Sequence, residues 1–228
     1  MTFRLLADTF KSSSPVIFGY VPLGIAFGVM FSHNLGYSWF YAFLMGLFVF
    51  AGSAQFLALG MLAMGENIGE IAVMTFILNS RQAFYGISLL KTFRTVWWKK
   101  LYLIFTLSDE PYSLITSVKV PEEYDKNTFY ATMSGWTHLY WTLGCALGGI
   151  LSESFPFNTK GMDFTLTGLF IVLAIEQFKK VQQWVPFLVA LGIGALCLIL
   201  LPKTYMLASS IALSIVFLTL KGKTTQWI

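Results

Sequence analysis

Charge is scarce in this 228-residue chain: Asp, Glu, Lys and Arg together make up 11% of it, while hydrophobic residues make up 56%. Several apolar stretches reach or exceed the roughly 18 residues that suffice to cross a bilayer, so the composition sets the class as an all-α polytopic membrane protein. The net charge of +4 leaves no basic face for a nucleic acid, because the lysines and arginines gather at the ends of apolar segments. Cysteine is almost missing. Cys145 and Cys197 both sit in apolar segments without metal-ligand neighbours, which excludes a disulfide framework and a zinc site and leaves two small packing residues. Also lacking is a small-residue cleavage pattern: "FSHNLG" follows the first apolar run, which therefore reads as an uncleaved helix. No cofactor is implied.

Apolar segments are present at about 14–32, 37–64, 68–90, 101–118, 129–151, 163–178, 184–201 and 204–220. Ahead of them, Phe3, Leu6, Ala7 and Phe10 share one helical face opposite Arg4, Asp8 and Lys11. Two readings fit that stretch, a helix lying in the membrane interface and a frayed tail. Tyr37, Trp39, Trp97, Trp98, Tyr102 and Trp184 flank the segments as interfacial anchors. The second segment is long for one span and contains "AGSAQ" (51–55), where Gly52 and Ser53 predict a helix break and a re-entrant hairpin.

An internal repeat bears on the topology. "YVPLGIAFGVMFS" (20–32) aligns without gaps on "YWTLGCALGGILS" (140–152), and "GLFVFAGSAQF" (46–56) on "GLFIVLAIEQF" (168–178). The chain reads as a single membrane domain of two repeats, about 14–118 and 129–220. With eight full crossings and a cytoplasmic N-terminus, Lys and Arg divide eight inside against six outside. With segments two and six re-entrant, they divide eleven against three, and both termini are cytoplasmic. The second arrangement makes the two halves an inverted repeat. An ordinary bundle of seven or eight spans is the alternative, because "VLAI" in segment six shows no break. Gly24 and Gly28, with their mates Gly144 and Gly148, have the small-xxx-small spacing of close helix contacts.

Polar residues at membrane depth mark the candidate site. "FILNSRQAFYG" (76–86) places Asn79, Arg81 and Gln82 inside an apolar run, where a bare guanidinium is expensive. Arg81 and Asp109 each lie fourteen residues from Thr95. That is roughly 21 Å of helix at about 1.5 Å per residue, so the two belong at similar depth on adjacent antiparallel helices. "LSDEPYS" (107–113) adds Glu110, and Pro111, which frees carbonyls there. One arginine facing two carboxylates, with Asn79, Gln82 and Gln55 nearby, makes a polar centre; a structural ion pair that only locks two helices is the competing reading. Glu176 reads as a second-hairpin carboxylate or an interfacial residue, and His138 as a proton relay or a packing histidine.

Four blocks in this order, "YVPLGIAFG" (20–28), "FAGSAQF" (50–56), "NSRQAFYGISL" (79–89) and "SDEPYSL" (108–114), resemble the AzlC family, the large subunits of two-component branched-chain amino acid exporters. The resemblance implies an inner (plasma) membrane permease that exports leucine, isoleucine, valine and also methionine, together with a small AzlD-type membrane subunit. The family reads Asn-x-Arg-His at the third block, and Gln82 stands in the histidine's place here. Arg81, with Asn79, Gln55 and Gln82, would take the zwitterion, and Asp109 or Glu110 would exchange the proton. Two other classes remain at this stage. An intramembrane hydrolase would use Ser53 as nucleophile and His138 as base. A non-transporting scaffold would tolerate any single polar substitution at depth.

Overall fold

A computed structural model of the chain describes residues 2–93, 95–155 and 182–200, together with 168, 171, 174–175, 178–179, 209–210, 213–214 and 216–217. The helices defined there are α1 (Thr2–Leu35), α2 (Trp39–Phe48), α3 (Gly52–Ala63), α4 (Ile68–Leu89), α5 (Trp97–Phe105), α6 (Asp109–Ser117), α7 (Lys126–Ser154) and α8 (Trp184–Leu200), and no strand occurs among the described residues. The chain divides into two compact units, Met1–Gly65 with Thr75–Leu166 and Glu66–Met74 with Thr167–Ile228.

The N-terminal stretch is helical and not a frayed tail, but it is no separate helix: residues 2–12 are the first three turns of α1, which runs unbroken through Pro15 and Pro22. Proline removes a backbone donor and leaves the carbonyl four residues earlier unbonded. Here the Ser14 hydroxyl donates to the Lys11 carbonyl at 2.9 Å, the acceptor that Pro15 frees. Thr9 and Ser13 are fully buried, Phe3 points outward, and Phe10 packs edge-on against Trp136 and Tyr140. By length and composition α1 can cross a bilayer, and α2, α3 and α8 are apolar but shorter. Phe18, Phe76 and Ile199 are each at least three-quarters exposed, an apolar exterior suited to lipid.

Helix α1 packs on α7 through the predicted glycines. A Cβ on Gly28 would overlap the Cys145 carbonyl oxygen, and one on Gly148 would overlap the Ile25 carbonyl oxygen. A Cβ on Gly24 would lie 3.0 Å from the Gly144 Cα. Ile25 and Cys145 are themselves repeat mates, so the two helices exchange equivalent contacts. The order of contacts also fixes direction. Asp8 meets Tyr124, Ser13 meets Tyr140, Tyr20 meets Trp141 and Gly28 meets Cys145, so α1 and α7 run parallel. The inverted relation expected between them is therefore corrected.

The reason lies in the fourth apolar segment, which is split into two short helices and turns back on itself. Two helical hairpins enter the unit from opposite ends. Along α2, Trp39 lies beside Gly149 and the Leu47 carbonyl accepts from His138 at 2.9 Å, so α2 descends antiparallel to α7. The chain then turns at Val49–Ala51, and α3 returns from Gly52, against Trp141, to Phe56, against Phe27. The break thus precedes "GSAQ": Gly52 and Ser53 form the first turn of α3, and the strained residue is Phe50, with φ +42°. From the other end, α5 rises from Lys99, bonded to Thr128, to Phe105, packed on His138. It breaks at Thr106–Ser108, and α6 returns from Asp109, paired with Arg81, to Ile115, which packs with Leu89 and Phe129. Pro111 is not at this break. It occupies the third position of α6, where its missing donor would have had no partner anyway.

The unit is electrically lopsided. Arg4, Lys11, Lys91, Lys99, Lys100, Lys119 and Lys126 all lie toward the end that holds the start of α1, whereas Gly36–Ser38 and Met64–Gly65, at the far end, contain no lysine or arginine. A cluster of Leu89, Phe93, Leu103, Leu107, Ile115, Phe129, Tyr130 and Met133 fills the interior at the basic end. Asp125 caps α7 there. Its carboxylate accepts from the Thr128 hydroxyl at 2.7 Å and the Thr128 N–H at 2.9 Å, and these bonds, the hydroxyl's first, hold its carboxyl below the ordinary value. A lowered folded-state pKa contributes stability that is present above about pH 4 and lost as pH falls through the folded value. Asp125→Ala is expected to cost about 1 kcal/mol. Asp125→Asn should keep the cap and flatten this part of the acid limb, as read by thermal unfolding in detergent between pH 3 and 7.

In the second unit, Phe178 packs on Trp184 and Phe187, and Cys197 is buried beside an apolar cavity of about 520 Å³ lined by Ile193, Leu196, Leu200, Leu213 and Phe217. Glu176 and Gln177 lie outside the described residues.

Candidate functional site

The tips of the two hairpins meet in the interior of the first unit. Phe50 at one tip packs on Phe105 at the other, and His138 lies between them, 4.8 Å and 5.5 Å from their ring centres. One His138 nitrogen bonds the Leu47 carbonyl and the other faces the Tyr102 hydroxyl at 3.3 Å. The residue is thus a hydrogen-bonded packing histidine that ties α2 to α5. Ser53 bonds elsewhere, so the Ser53–His138 pairing required for hydrolysis is not formed.

Arg81 connects the first turns of the two returning helices. Its Nη2 lies 2.8 Å from Asp109 Oδ2, at the start of α6, and 3.1 Å from Ser53 Oγ, at the start of α3. Exposure of the two ionic side chains is 21% and 23%, so the pair is mostly withdrawn from solvent. The depth matching of Arg81 and Asp109 therefore brings together the residues it predicts. Tyr85, one turn along α4 on the same face, donates to Asp109 Oδ1 at 2.7 Å. Glu110 goes elsewhere: the Tyr20 hydroxyl donates to its Oε2 at 2.8 Å, with Ser108 Oγ also 2.8 Å from that hydroxyl.

Gln55 is fully buried, and its carbonyl oxygen accepts from the Ala51 N–H at 3.1 Å and the Trp141 indole at 2.9 Å. Those bonds fasten the α3 start to α7, and they leave the Gln55 Nε2 without a partner. The Asn79 Oδ1 and the Arg81 Nε are likewise buried and unpartnered. An unmet buried polar atom costs about 1–3 kcal/mol, so each of these three is open to a hydrogen bond with a polar solute.

Asn79 and Gln82 do not join the ion pair. Successive helical residues turn by about 100°, which points both away from the face of Arg81. They line a groove of about 430 Å³ with Gly86, Leu90, Lys100 and Leu107. Reading the sequence also missed Tyr20, Tyr85, Ser108 and Trp141. Only Tyr85 carried a signal, its spacing of four from Arg81. No group of three or more His, Cys, Asp or Glu that could hold a metal occurs among the described residues.

Comparison with known proteins gives a consistent picture. The family model described as AzlC protein matches residues 15–155. The branched-chain amino acid transport protein AzlC of Bacillus subtilis is 40% identical over 85% of this chain and 76% of its own length. An uncharacterized membrane protein of Haemophilus influenzae is 38% identical over 87% of this chain and 82% of its own. The inner membrane protein YgaZ of Escherichia coli is 26% identical over 76% and 73%. No solved structure matches. With two of the sequence blocks at the hairpin tips, the other two on α1 and α4, and a family model covering more than half of its length, the chain belongs to the AzlC family.

Proposed function

We propose that this protein is a multi-pass inner-membrane permease that exports branched-chain amino acids, with methionine as a further substrate, and that it works with a small AzlD-type subunit. The substrate class follows the name of the Bacillus subtilis relative. The observation that carries the chemistry is Arg81, held between Asp109 and Ser53 at two helix starts with its own Nε buried and unpartnered. A substrate carboxylate needs a cation and favours a helix N-terminus, and the α3 start at Gly52 and Ser53 lies beside Arg81. The carboxylate would compete with Asp109 for the guanidinium. The substrate's ammonium group would compete with a proton for the Asp109 or Glu110 carboxylate so released, and because one occupant excludes the other, export is coupled to proton entry.

Placing the basic end in the cytoplasm satisfies the positive-inside rule and puts the N-terminus there. The α2–α3 hairpin then enters from outside and the α5–α6 hairpin from inside. Alternating access follows if one hairpin opens at a time. Asn34→Cys and Met64→Cys are expected to react with an impermeant thiol reagent from the outside, and Lys91→Cys and Lys119→Cys only from the inside. Reaction of the first two from opposite faces would end the hairpin model.

Transport is tested in proteoliposomes with and without the small subunit. Leucine, isoleucine and valine are expected to move against their gradients when an inward proton gradient is imposed. Failure of all three to move with both subunits present would overturn the proposal.

A further inference from the structure

The groove between α4 and α5 has a use that the ion pair does not explain. Asn79, Gln82, Gly86 and Leu90 recur at helical spacing along one face of α4, a strip roughly 16 Å long at about 1.5 Å per residue. Lys100 and Leu107 form the facing wall on α5 and its tip. Since α5 runs antiparallel to α4, Lys100 stands opposite Leu90 at the basic end, and Leu107 opposite Gln82 at the level of Arg81. The groove is thus cationic at its mouth, apolar along its length and lined by amides at its inner end, where the buried Asn79 Oδ1 lacks a partner. Lys99, next to Lys100, is committed to Thr128 at 2.8 Å. A Cβ on Gly86 would meet nothing within 4 Å, so this glycine serves neither a tight turn nor a helix contact. It widens the groove.

We infer that this groove is the cytoplasmic entry passage for the exported amino acid: Lys100 attracts the carboxylate, Gly86 leaves room for the aliphatic side chain, and Asn79 accepts from the ammonium group at the inner end. The inference rests on the proposed function. The match is one of charge and shape. A zwitterion with an aliphatic side chain requires a cation, an acceptor and an apolar wall, and a volume of about 430 Å³ falls within the range of small-molecule sites. An acyl chain would find no use for the two amides at the inner end.

The test uses the full-length protein with its small subunit in inside-out vesicles, where export is read as uptake. Gly86→Phe is expected to reduce leucine uptake by about tenfold or more, and alanine uptake by less, because the added ring fills the space taken by the longer side chain. Lys100→Gln should raise the KM for leucine roughly threefold to tenfold at low salt, converge with the parent protein at high salt, and leave kcat unchanged. Leucine should also protect Gly86→Cys, in a Cys145→Ala/Cys197→Ala background, from a maleimide added on the cytoplasmic side. That protection requires no transport, so it separates this inference from the proposed function. Uptake of leucine by Gly86→Phe at the parent rate, or maleimide labelling indifferent to leucine, would overturn the passage. A parent protein that moves no leucine while leucine still protects position 86 would instead overturn the transport reading and leave the groove site standing.

Discussion

Replacing Arg81 with lysine is expected to lower leucine transport by about 10- to 100-fold while the protein stays folded. The substitution keeps the charge and loses the planar guanidinium, whose Nη2 alone holds Asp109 and Ser53 and whose unpartnered Nε is left to meet a substrate carboxylate. A charge-assisted hydrogen bond contributes about 1.5–3 kcal/mol, and each 1.4 kcal/mol is about tenfold. Arg81→Ala removes the only partner that neutralises Asp109 among the described ion pairs. Breaking a buried pair costs about 3–5 kcal/mol, and the 21% and 23% exposure of these side chains sets the expectation at the low end, about 3 kcal/mol. Substrate flux and unfolding in detergent, measured on the same preparations, separate the two effects. A folded and fully active Arg81→Gln protein would remove Arg81 from substrate binding. Recovery of transport in Arg81→Ala/Asp109→Asn would reduce the pair to a structural contact.

Gly28→Ala is expected to destabilise the first unit by about 3 kcal/mol, the upper part of the overpacking range. The added methyl group would meet the Cys145 carbonyl oxygen and the Gly149 nitrogen, which belong to backbone and cannot rotate away. Gly148→Ala meets the Ile25 carbonyl in the same manner and should behave alike. Gly19→Ala, in the same helix, would have nothing within 4 Å and should be neutral or stabilising by up to about 1 kcal/mol. The midpoint of thermal unfolding in detergent reads all three. Equal tolerance at positions 19, 28 and 148 would mean that α1 and α7 do not approach as closely as described.

The glycine seam was legible in the sequence because small-xxx-small spacing encodes a close contact directly. The pairing of Arg81 with Asp109 was legible because α5, antiparallel to α4 across one loop, climbs to the depth of Arg81 before it breaks, so that Asp109, the first residue of the returning α6, still lies at the level the arithmetic gives. The hairpins were only half legible. "AGSAQ" marks the first turn after a break whose strain falls on Phe50, a residue type that carries no turn signal. The second break, at Thr106–Ser108, has neither glycine nor proline, while Pro111 sits harmlessly inside the first turn that follows. Hydropathy therefore counted 101–118 as one continuous span, and that one miscount reversed the inferred direction of α7. Asn79 and Gln82 are adjacent to Arg81 in sequence but turned to a different face, which composition of the block cannot reveal.

The α1–α7 seam also sets an order of assembly. Gly28 emerges from the ribosome about 120 residues before Gly148, an interval of roughly 6–24 s at about 5–20 residues per second. During that interval α1 lies in the membrane without the helix it is shaped to grip, and the α2–α3 hairpin is made with no Trp141 to hold Gln55. Two exposed strips of glycine backbone and a strained turn must therefore wait for α7. The nascent chain's dependence on membrane chaperones and its exposure to membrane proteases should be greatest before residue 149 is inserted and should fall sharply after it.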